Sequence, residues 1–347
     1  MIKKILNVLK RHNNTPARLI NLLFLYISRA LRMPHVLGMP YSVFIEPVNA
    51  CNLKCPLCPL GDGSFTRKPE VMSLEDFRRI IDQLGDRLYQ VNLTQFGEPF
   101  LNKDLLKMIE YAKSRKLFVS TASNFNKLDR DGIRGLVEKG ADYISISLDG
   151  VTEDTYRKYR QGGSLTAMIE NLRTLVDEKK RVKSRLPYID LQFIIMKHNE
   201  SEYEAALDFA RSLGVDQLTY KAVYLQPPAT AEKAKNFLPG NPEFAVYGEK
   251  DGRVSFKTKT SNTNMCRSIW VSTIVNSNGD VTPCCYDYNN KFVMGNIFRE
   301  DFRKIWNNRK YKDFRKAVLR DKINLPMCGQ CPDYFFGEFF LKAVKFN

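Results

Sequence analysis

The sequence predicts an α/β fold, in which a partial, TIM-like barrel of six strand–helix units precedes a smaller cysteine-rich region. Between residues 41 and 225, segments rich in β-branched and aromatic residues alternate with amphipathic segments of helical period. Such alternation is typical of a parallel sheet, because each right-handed crossover places its helix on a face of the sheet. Six units are fewer than the eight of a closed barrel, so we expect an open one.

The individual elements follow from local patterns. The six predicted strands are SVFIEP, VNLTQF, LFVST, YISISL, IDLQFIIM and DQLTYKAV. The clearest helix begins at Ser73, with Asp76 placed to form a capping interaction. Its apolar face is formed by Phe77, Ile80, Ile81 and Leu84. A second helix has an apolar face of Leu105, Met108, Ile109 and Ala112.

Composition excludes several classes of protein. The chain has 347 residues, of which 44% are hydrophobic and 27% charged, which argues against a disordered or collagen-like chain. Lys and Arg number 54 against 38 Asp and Glu, a net charge of +16 that favours anionic partners. A chain large enough to bury its own core needs no disulfide staples, so the eight cysteines indicate metal ligands in a reducing compartment.

Four regions are expected along the chain. Residues 1–40 form a basic, apolar helical segment, and 41–225 form the barrel core. Residues 226–262 are rich in Pro, Gly and Lys, which predicts a linker or a lid. Residues 263–347 contain a predicted hairpin with the turn NSNGD, a helix after Gly295-Asn296, and five cysteines.

The N-terminal segment has two interpretations. Before Glu46 there are seven basic residues and no acidic one, and LINLLFLYIS between Arg18 and Arg29 is apolar almost all round. We expect a helix buried against the main domain, because a helix that is apolar on every side is usually core. The alternative is an interfacial helix in peripheral contact with an anionic membrane. We find no cleavable signal and no spanning segment, and we expect a cytoplasmic protein, with the inner membrane face as its alternative peripheral location.

The first cysteine cluster directly follows the first predicted strand. Cys51, Cys55 and Cys58 have the spacing C-x3-C-x2-C, and no fourth Cys or His lies nearby in the sequence. A structural zinc usually has four protein ligands, so zinc would need a distant residue to complete its site. Three thiolates can instead hold a polynuclear cluster and leave one iron without a protein ligand.

This motif at the end of the first strand of a six-unit barrel resembles the radical S-adenosylmethionine (radical SAM) enzymes. The resemblance implies that the three cysteines hold a [4Fe-4S] cluster whose fourth iron binds S-adenosylmethionine. It further implies that the sulfonium is cleaved reductively, and that the 5′-deoxyadenosyl radical so formed removes a hydrogen atom from substrate. Leu57 stands before the third cysteine, where the family commonly has an aromatic residue.

Residues at later strand ends resemble the family's S-adenosylmethionine contacts. The sequence Gly97-Glu98-Pro99 is similar to the motif at the amino group, although Phe96 replaces the usual first glycine. Arg160 resembles the arginine that pairs with the carboxylate, a role that suits a guanidinium. The positions implied to contact ribose and methionine are Ser123, Asn124, Ser147 and Asp149.

The second cysteine cluster resembles the SPASM/Twitch domain of the same enzymes. Cys266, twelve residues, Gly279, four residues and Cys284 precede Cys328-x2-Cys331. The resemblance implies one auxiliary [4Fe-4S] cluster held by these four cysteines, with zinc as the alternative occupant. Cys285 is left over, either as an inert buried thiol or as a hydrogen-atom donor to a substrate radical.

The reaction expected first is oxidation of a small molecule, a sugar or an envelope precursor, with the auxiliary cluster assisting electron transfer. A flavodoxin or ferredoxin would supply the electron, and Lys221 or Tyr220 at the end of the sixth strand would take the substrate proton. A lysine base would need a lowered pKa.

Other reactions stay open. One is radical epimerisation with Cys285 as donor. Another is maturation of a ribosomal peptide, for which residues 1–40 are too few to form a leader-recognition domain. RNA modification is less expected, because the basic charge suits phosphate but no RNA-binding motif is recognisable.

Overall fold

A computed structural model describes residues 14–225, 231–250, 253–256, 264, 266, 268–328, 331 and 340–346. The chain divides into two compact units. The first is formed by the described residues of 1–49, 67–120 and 264–329, and the second by those of 50–66, 121–263 and 330–347. The strand Phe118–Ser123 begins in the first unit and ends in the second.

Parallel strands form the centre of the first unit. Its strands are β1 (Ser42–Ile45), β2 (Gln90–Leu93), the start of β3 (Phe118–Ser123), β9 (Ser272–Val275), β10 (Asp280–Thr282) and β11 (Gly295–Asn296). Strand β1 pairs in parallel with β2 on one side and with β9 on the other. The predicted hairpin is confirmed, because β9 and β10 pair antiparallel around Gly279, whose φ is +82°. Strand β11 then adds antiparallel to β10.

The helices of the first unit follow the predicted faces. They are α1 (Pro16–Ala30), α3 (Leu74–Leu84), α4 (Leu105–Ser114), α10 (Phe302–Trp306) and α11 (Arg309–Asp321), with short 3-10 turns at Gly85–Arg87 and Pro99–Leu101. Helix α3 begins where its sequence indicates, since the Ser73 hydroxyl accepts a hydrogen bond from Asp76 N at 3.0 Å. The apolar residues predicted for α3 and α4 are all buried.

The helix predicted after Gly295-Asn296 is divided into two. Helix α10 ends at Trp306, and α11 begins at Arg309. The Asn308 side chain accepts a hydrogen bond from Tyr311 N at 2.9 Å and so caps the new helix. The pair Asn307-Asn308 therefore acts as a stop and a start, because Asn competes with helix continuation by bonding to the local backbone.

The second unit repeats the strand–helix alternation. Its strands are the end of β3, β4 (Tyr143–Ser147), β5 (Tyr188–Ile195), β6 (Gln217–Ala222), β7 (Tyr247–Lys250), β8 (Arg253–Phe256) and β12 (Phe340–Lys345). Its helices are α2 (Pro59–Asp62), α5 (Arg130–Glu138), α6 (Glu153–Tyr159), α7 (Leu165–Arg181), α8 (Tyr203–Ser212) and α9 (Ala231–Phe237), with a 3-10 turn at Glu200–Glu202. Strands β4, β5 and β6 are parallel, and β12 covers the free edge of β6 in antiparallel pairing.

The two faces of these strands differ in polarity. Along β5, Leu191 and Phe193 lie on the face covered by helices, whereas Asp190 and Gln192 lie on the opposite face. The fold is thus an α/β fold with parallel strands that do not close into a ring, as predicted. The four region boundaries stay a prediction. Within 226–262, the residues 226–230, 251–252 and 257–262 lie outside the described part.

The N-terminal helix packs against the first unit, but with an unexpected face. Its buried residues are Arg18, Asn21, Leu25 and Ser28, three of which are polar. Its exposed residues include Leu23 and Phe24, which are 55% and 41% accessible. The helix packs against the domain, but the expectation that it is core because it is apolar on every side is wrong, since polar side chains with hydrogen bonds form its packed face.

Candidate functional site

The first cysteine loop is compact and depends on a glycine. In the second unit, Cys58 N donates to Cys55 O at 3.0 Å, and Gly61 N donates to Cys58 O at 2.8 Å. A Cβ on Gly61 would lie 2.2 Å from Cys55 O, so no other residue fits this close approach. The chain between Cys55 and Gly61 is thereby held in one tight turn.

The thiols of this loop lie in a mainly apolar environment. Cys55 belongs to a buried cluster with Leu53, Leu57 and Met196, and Cys51 and Cys58 pack against it. Burial raises the pKa of Cys55 and of Cys58. A metal that binds Cys55 and Cys58 would displace the protons of their thiols, because cysteine binds metals as the thiolate.

Donors of hydrogen bonds surround the sulfur atoms. Leu53 N lies 3.4 Å from Cys51 Sγ, and Asn124 Nδ2 lies 3.9 Å from the same sulfur. Arg160 Nη1 lies 3.7 Å from Cys55 Sγ. Such donors stabilise thiolate charge and tune the potential of an iron–sulfur cluster.

The donor set suits a polynuclear cluster better than one metal ion. Among the described residues, no three His, Cys, Asp or Glu side chains converge closely enough to hold a single metal ion. Thiolates of a [4Fe-4S] cluster bind different irons, so they need not converge on one point. Three cysteines with N–H donors at their sulfurs therefore fit a [4Fe-4S] cluster that keeps one iron open.

Arg160 is held beside this loop by Asp149. The Arg160 Nε donates to Asp149 Oδ2 at 2.5 Å, and the Asp149 side chain is completely buried. The other carboxylate oxygen accepts from Ile194 N at 2.7 Å. Both carboxylate oxygens of Asp149 thus have protein partners, and the contact with the cofactor that the resemblance implies stays a prediction. Its observed part is to fix the guanidinium of Arg160.

The other strand-end residues that the resemblance implies as cofactor contacts differ in whether they lie at the cysteine loop. Asn124 Nδ2 donates to Asn52 Oδ1 at 3.0 Å, which joins the end of β3 to the cysteine loop. Ser123 is buried, and its hydroxyl accepts from Phe125 N at 2.9 Å, as in an ordinary turn. Ser147 is half-buried at the end of β4. Of these three, Asn124 lies at the cysteines.

The motif Gly97-Glu98-Pro99 belongs to the first unit. Gly97 has a φ of +91°, a conformation that favours glycine. Glu98 is buried and accepts a hydrogen bond from Phe100 N at 3.3 Å, so it caps the turn Pro99–Leu101. The motif forms a rigid turn after β2, and its role toward S-adenosylmethionine stays a prediction.

The two candidate bases lie on opposite faces of β6. Lys221 Nζ donates to Gln192 Oε1 on the polar face, and burial lowers the pKa of Lys221 to about 8. Tyr220 lies on the helix-covered face, where its hydroxyl donates to Tyr203 O at 2.6 Å. Burial also raises the pKa of Tyr220. Lys221 has the lowered pKa that a base needs, whereas the pKa of Tyr220 shifts in the opposite direction. The role of either residue as the base stays a prediction.

Three of the four auxiliary cysteines belong to the first unit. Cys266 is buried, with its sulfur accepting from Ser268 N at 3.4 Å, and Cys284 Sγ accepts from Tyr286 N at 3.5 Å. Cys328 is half-buried, and Cys331 belongs to the second unit. Their assignment as ligands of one cluster stays a prediction.

Cys285 is exposed, unlike its neighbour Cys284. Its backbone carbonyl accepts a hydrogen bond from Gln95 Nε2 at 3.3 Å. The default expectation of a buried, inert thiol is therefore wrong for this residue. The assignment of Cys284 rather than Cys285 as the ligand stays a prediction.

Sequence reasoning missed two buried polar clusters, one around Asp190 and one around Glu46. Asp190 accepts from Thr219 Oγ1 at 2.7 Å and from Gln217 Nε2 at 3.1 Å, on the polar face of the second unit. Glu46 and Arg67 form an ion pair in the first unit. The signal for Asp190 was a polar residue inside an apolar strand. Glu46 and Arg67 gave no local signal, because their partnership depends on the fold.

Comparison with known proteins gives two family matches. The model of the radical SAM superfamily matches residues 45–210. The model of the SPASM iron–sulfur cluster-binding domain matches residues 266–332. These domains imply a [4Fe-4S] cluster that binds S-adenosylmethionine and auxiliary iron–sulfur binding.

Similar proteins agree with these matches. The mycofactocin maturase MftC of Mycobacterium ulcerans is 24% identical over 331 residues, which cover 90% of this chain and 85% of that protein. The subtilosin biosynthesis protein AlbA of Bacillus subtilis is 22% identical, over 89% of this chain and 69% of that protein. The structure of Streptococcus suis SuiB bound to the precursor peptide SuiA has a TM-score of 0.64 at 16% identity, covering 94% of this chain and 80% of that one.

The cysteine loop of the second unit fits a [4Fe-4S] cluster with one open iron. The two family matches and the similar proteins indicate the same kind of protein. The chain belongs to the radical SAM superfamily and carries a SPASM domain.

Proposed function

We propose that this protein is a radical SAM enzyme that modifies a peptide. The observation that carries the proposal is the similarity to the mycofactocin maturase MftC and to the bacteriocin biosynthesis protein AlbA, over about nine-tenths of this chain. That similarity spans both the radical SAM and the SPASM domains. The first expectation, oxidation of a small molecule or sugar, has less support, and peptide maturation was its alternative.

The bound cofactors would supply the radical chemistry. With an electron from a donor such as flavodoxin or ferredoxin, the [4Fe-4S] cluster and S-adenosylmethionine would give the radical that removes a hydrogen atom from the peptide.

The protein's own residues would position and protect this chemistry. Arg160 would bind the carboxylate of S-adenosylmethionine, and Asp149 would hold the guanidinium in place. Asn124, bonded to Asn52, would keep the loop of Cys51 fixed. These groups share the second unit with the three cysteines.

Lys221 would take up the proton in an oxidative modification. After the 5′-deoxyadenosyl radical has taken one hydrogen atom, transfer of one electron to the auxiliary cluster and of one proton to Lys221 would complete a two-electron oxidation of the peptide. A neutral amine can accept that proton, and burial makes neutral Lys221 accessible near pH 8. A modification without net oxidation would not need this base.

The test uses the reconstituted full chain under strict anaerobiosis. Short peptides encoded beside its gene would be incubated with S-adenosylmethionine and reductant, and both 5′-deoxyadenosine and the peptide mass would be measured. We expect a peptide that stimulates 5′-deoxyadenosine formation and loses the mass of two hydrogen atoms. The Cys55→Ala variant is the control that should lose both signals. Stimulation by sugars or cyclitols, with every peptide inert, would return the assignment to small-molecule oxidation.

Reaction in deuterated water separates oxidation from epimerisation. A radical epimerase with Cys285 as donor would place one solvent deuterium on carbon in a product of unchanged oxidation state. The exposed thiol of Cys285 exchanges freely with solvent, so the label would be complete. An unlabelled product lacking two hydrogens supports the oxidation.

A further inference from the structure

The N-terminal helix α1 packs its polar face against the protein and exposes its apolar face, which is the reverse of an ordinary surface helix. Its outward side chains include Leu19, Ile20, Leu23, Phe24 and Tyr26, with exposed fractions from 41% to 55%. The residue after the helix, Leu31, is 68% exposed. In sequence these positions recur with helical spacing, so they form one apolar face.

Polar side chains hold the opposite face against the first unit. Arg18 donates to the carbonyl oxygens of Asp86 at 3.1 Å, Arg115 at 3.2 Å and Lys116 at 3.4 Å. A buried guanidinium is well suited to carbonyl groups at the ends of helical turns. Rotation of the helix to bury its apolar face would break all three bonds.

Two more anchors fix the same orientation. Asn21 pairs with the backbone of Met39 in both directions, donating to Met39 O at 2.8 Å and accepting from Met39 N at 2.7 Å. Ser28 Oγ accepts from Leu37 N at 2.9 Å. A buried polar group that loses its hydrogen-bond partner is destabilising, so this set of bonds makes the outward orientation of the apolar face the stable one.

The charged residues of the N-terminal segment itself are all basic. Arg29 and Arg32 lie at the C-terminal end of the helix, with Arg32 exposed. The sequence has no acidic residue before Glu46. The other basic residues of the segment are Lys3, Lys4, Lys10 and Arg11, which lie outside the described residues. No helix among the described residues is long and apolar enough to cross a membrane.

We propose that the exposed apolar face of α1 inserts into the surface of an anionic membrane, with Arg29 and Arg32 at the lipid headgroups. An apolar helix face with basic neighbours is the arrangement that binds such interfaces. A second copy of this chain would bring two strongly basic segments together, which like-charge repulsion opposes. This inference concerns where the enzyme works and does not depend on the peptide proposal.

The test is cosedimentation of the full chain with vesicles of phosphatidylcholine, alone or with phosphatidylglycerol. We expect binding to the anionic vesicles that weakens as salt is raised, and little binding to the neutral ones. Leu23→Glu should lower the partition coefficient about tenfold or more, because it removes an inserted aliphatic side chain. The matched control is Val182→Glu, which adds the same charge at a residue that is 43% exposed elsewhere in the chain.

A second variant keeps the test independent of folding defects. Phe24→Trp places a fluorophore on the proposed contact face, and its emission should shift to the blue when anionic vesicles are added. Absence of vesicle binding by the native protein would overturn the proposal. So would a dimer that Leu23→Glu dissociates in the absence of lipid, because the face would then join two copies of the chain.

Discussion

Glu46 and Arg67 form a buried ion pair in the first unit, with Glu46 Oε2 2.5 Å from Arg67 Nη2. The Glu46 side chain is 0% exposed, and the Arg67 side chain is 9% exposed. Glu46 Oε1 also accepts from Ser277 Oγ at 3.0 Å, and Arg67 Nε donates to Tyr288 O at 2.9 Å. The pair thus connects the end of β1 to the β9–β10 turn and to the loop after Cys284.

Removal of one partner of this pair should be costly. We expect Arg67→Met to destabilise the protein by about 3–5 kcal/mol, because Glu46 would stay buried without a counter-ion. The measurement is the urea midpoint of the anaerobic protein. Arg115→Met is the matched control, since Arg115 pairs with Asp82 at the surface and should cost about 1 kcal/mol or less. Equal shifts for both variants would show that the Glu46 pair has no special weight.

The auxiliary cysteines give a prediction about iron. The reconstituted chain should bind about eight iron, as two clusters of four. Cys284→Ala should reduce the iron content by up to about four, whereas Cys285→Ala should leave it unchanged, because Cys285 is exposed. Iron analysis and electron paramagnetic resonance distinguish the variants. About four iron with one zinc in the native protein would contradict an auxiliary iron–sulfur cluster.

Arg160 gives a prediction about cofactor binding. Arg160→Lys should weaken S-adenosylmethionine binding roughly ten- to hundredfold, since lysine cannot make the same paired contacts with a carboxylate. Asp149→Asn should weaken it less, because the amide keeps a hydrogen-bond acceptor but loses the charge. Titration of the cofactor, followed by the change in the cluster's resonance signal, measures both effects. Identical affinity for Arg160→Lys and native protein would remove Arg160 from the site.

Lys221 gives a prediction about pH. The pKa of Lys221 is lowered from 10.5 to about 8, so between these values the unfolded chain binds a proton that the folded chain does not. Stability should therefore rise from pH 8 to 10.5, by up to about 3 kcal/mol relative to Lys221→Met. Below pH 8 the difference should be constant, with Lys221→Met the more stable. Urea midpoints over this range test it, with the exposed Lys107→Met as the control that should follow the native curve.

The same residue predicts the pH dependence of an oxidative reaction. Turnover should rise as the pH increases through about 8, because the proton acceptor is the neutral amine. Lys221→Met should lose this rise while 5′-deoxyadenosine formation without product continues. A pH profile unchanged by Lys221→Met would assign the proton to another acceptor or to solvent.

The sequence by itself determined the alternation of strands and helices and the two cysteine motifs. These are local properties, because hydrophobic period and ligand spacing are written within short windows of residues. The capped start of α3 at Ser73 is one example, and the thiols of Cys51, Cys55 and Cys58 directly after β1 are another.

The tertiary structure decided on which face of the fold each candidate residue lies and which distant residue it contacts. Lys221 and Tyr220 are adjacent in sequence, but the pleat of β6 places one on the polar face and the other against helix α8. Glu46 forms an ion pair with Arg67. The buried side chains of Arg18, Asn21 and Ser28 leave the apolar face of α1 exposed. Each outcome depends on hydrogen bonds and charges between distant residues, and a buried polar group must find such partners whatever the hydropathy of its neighbours.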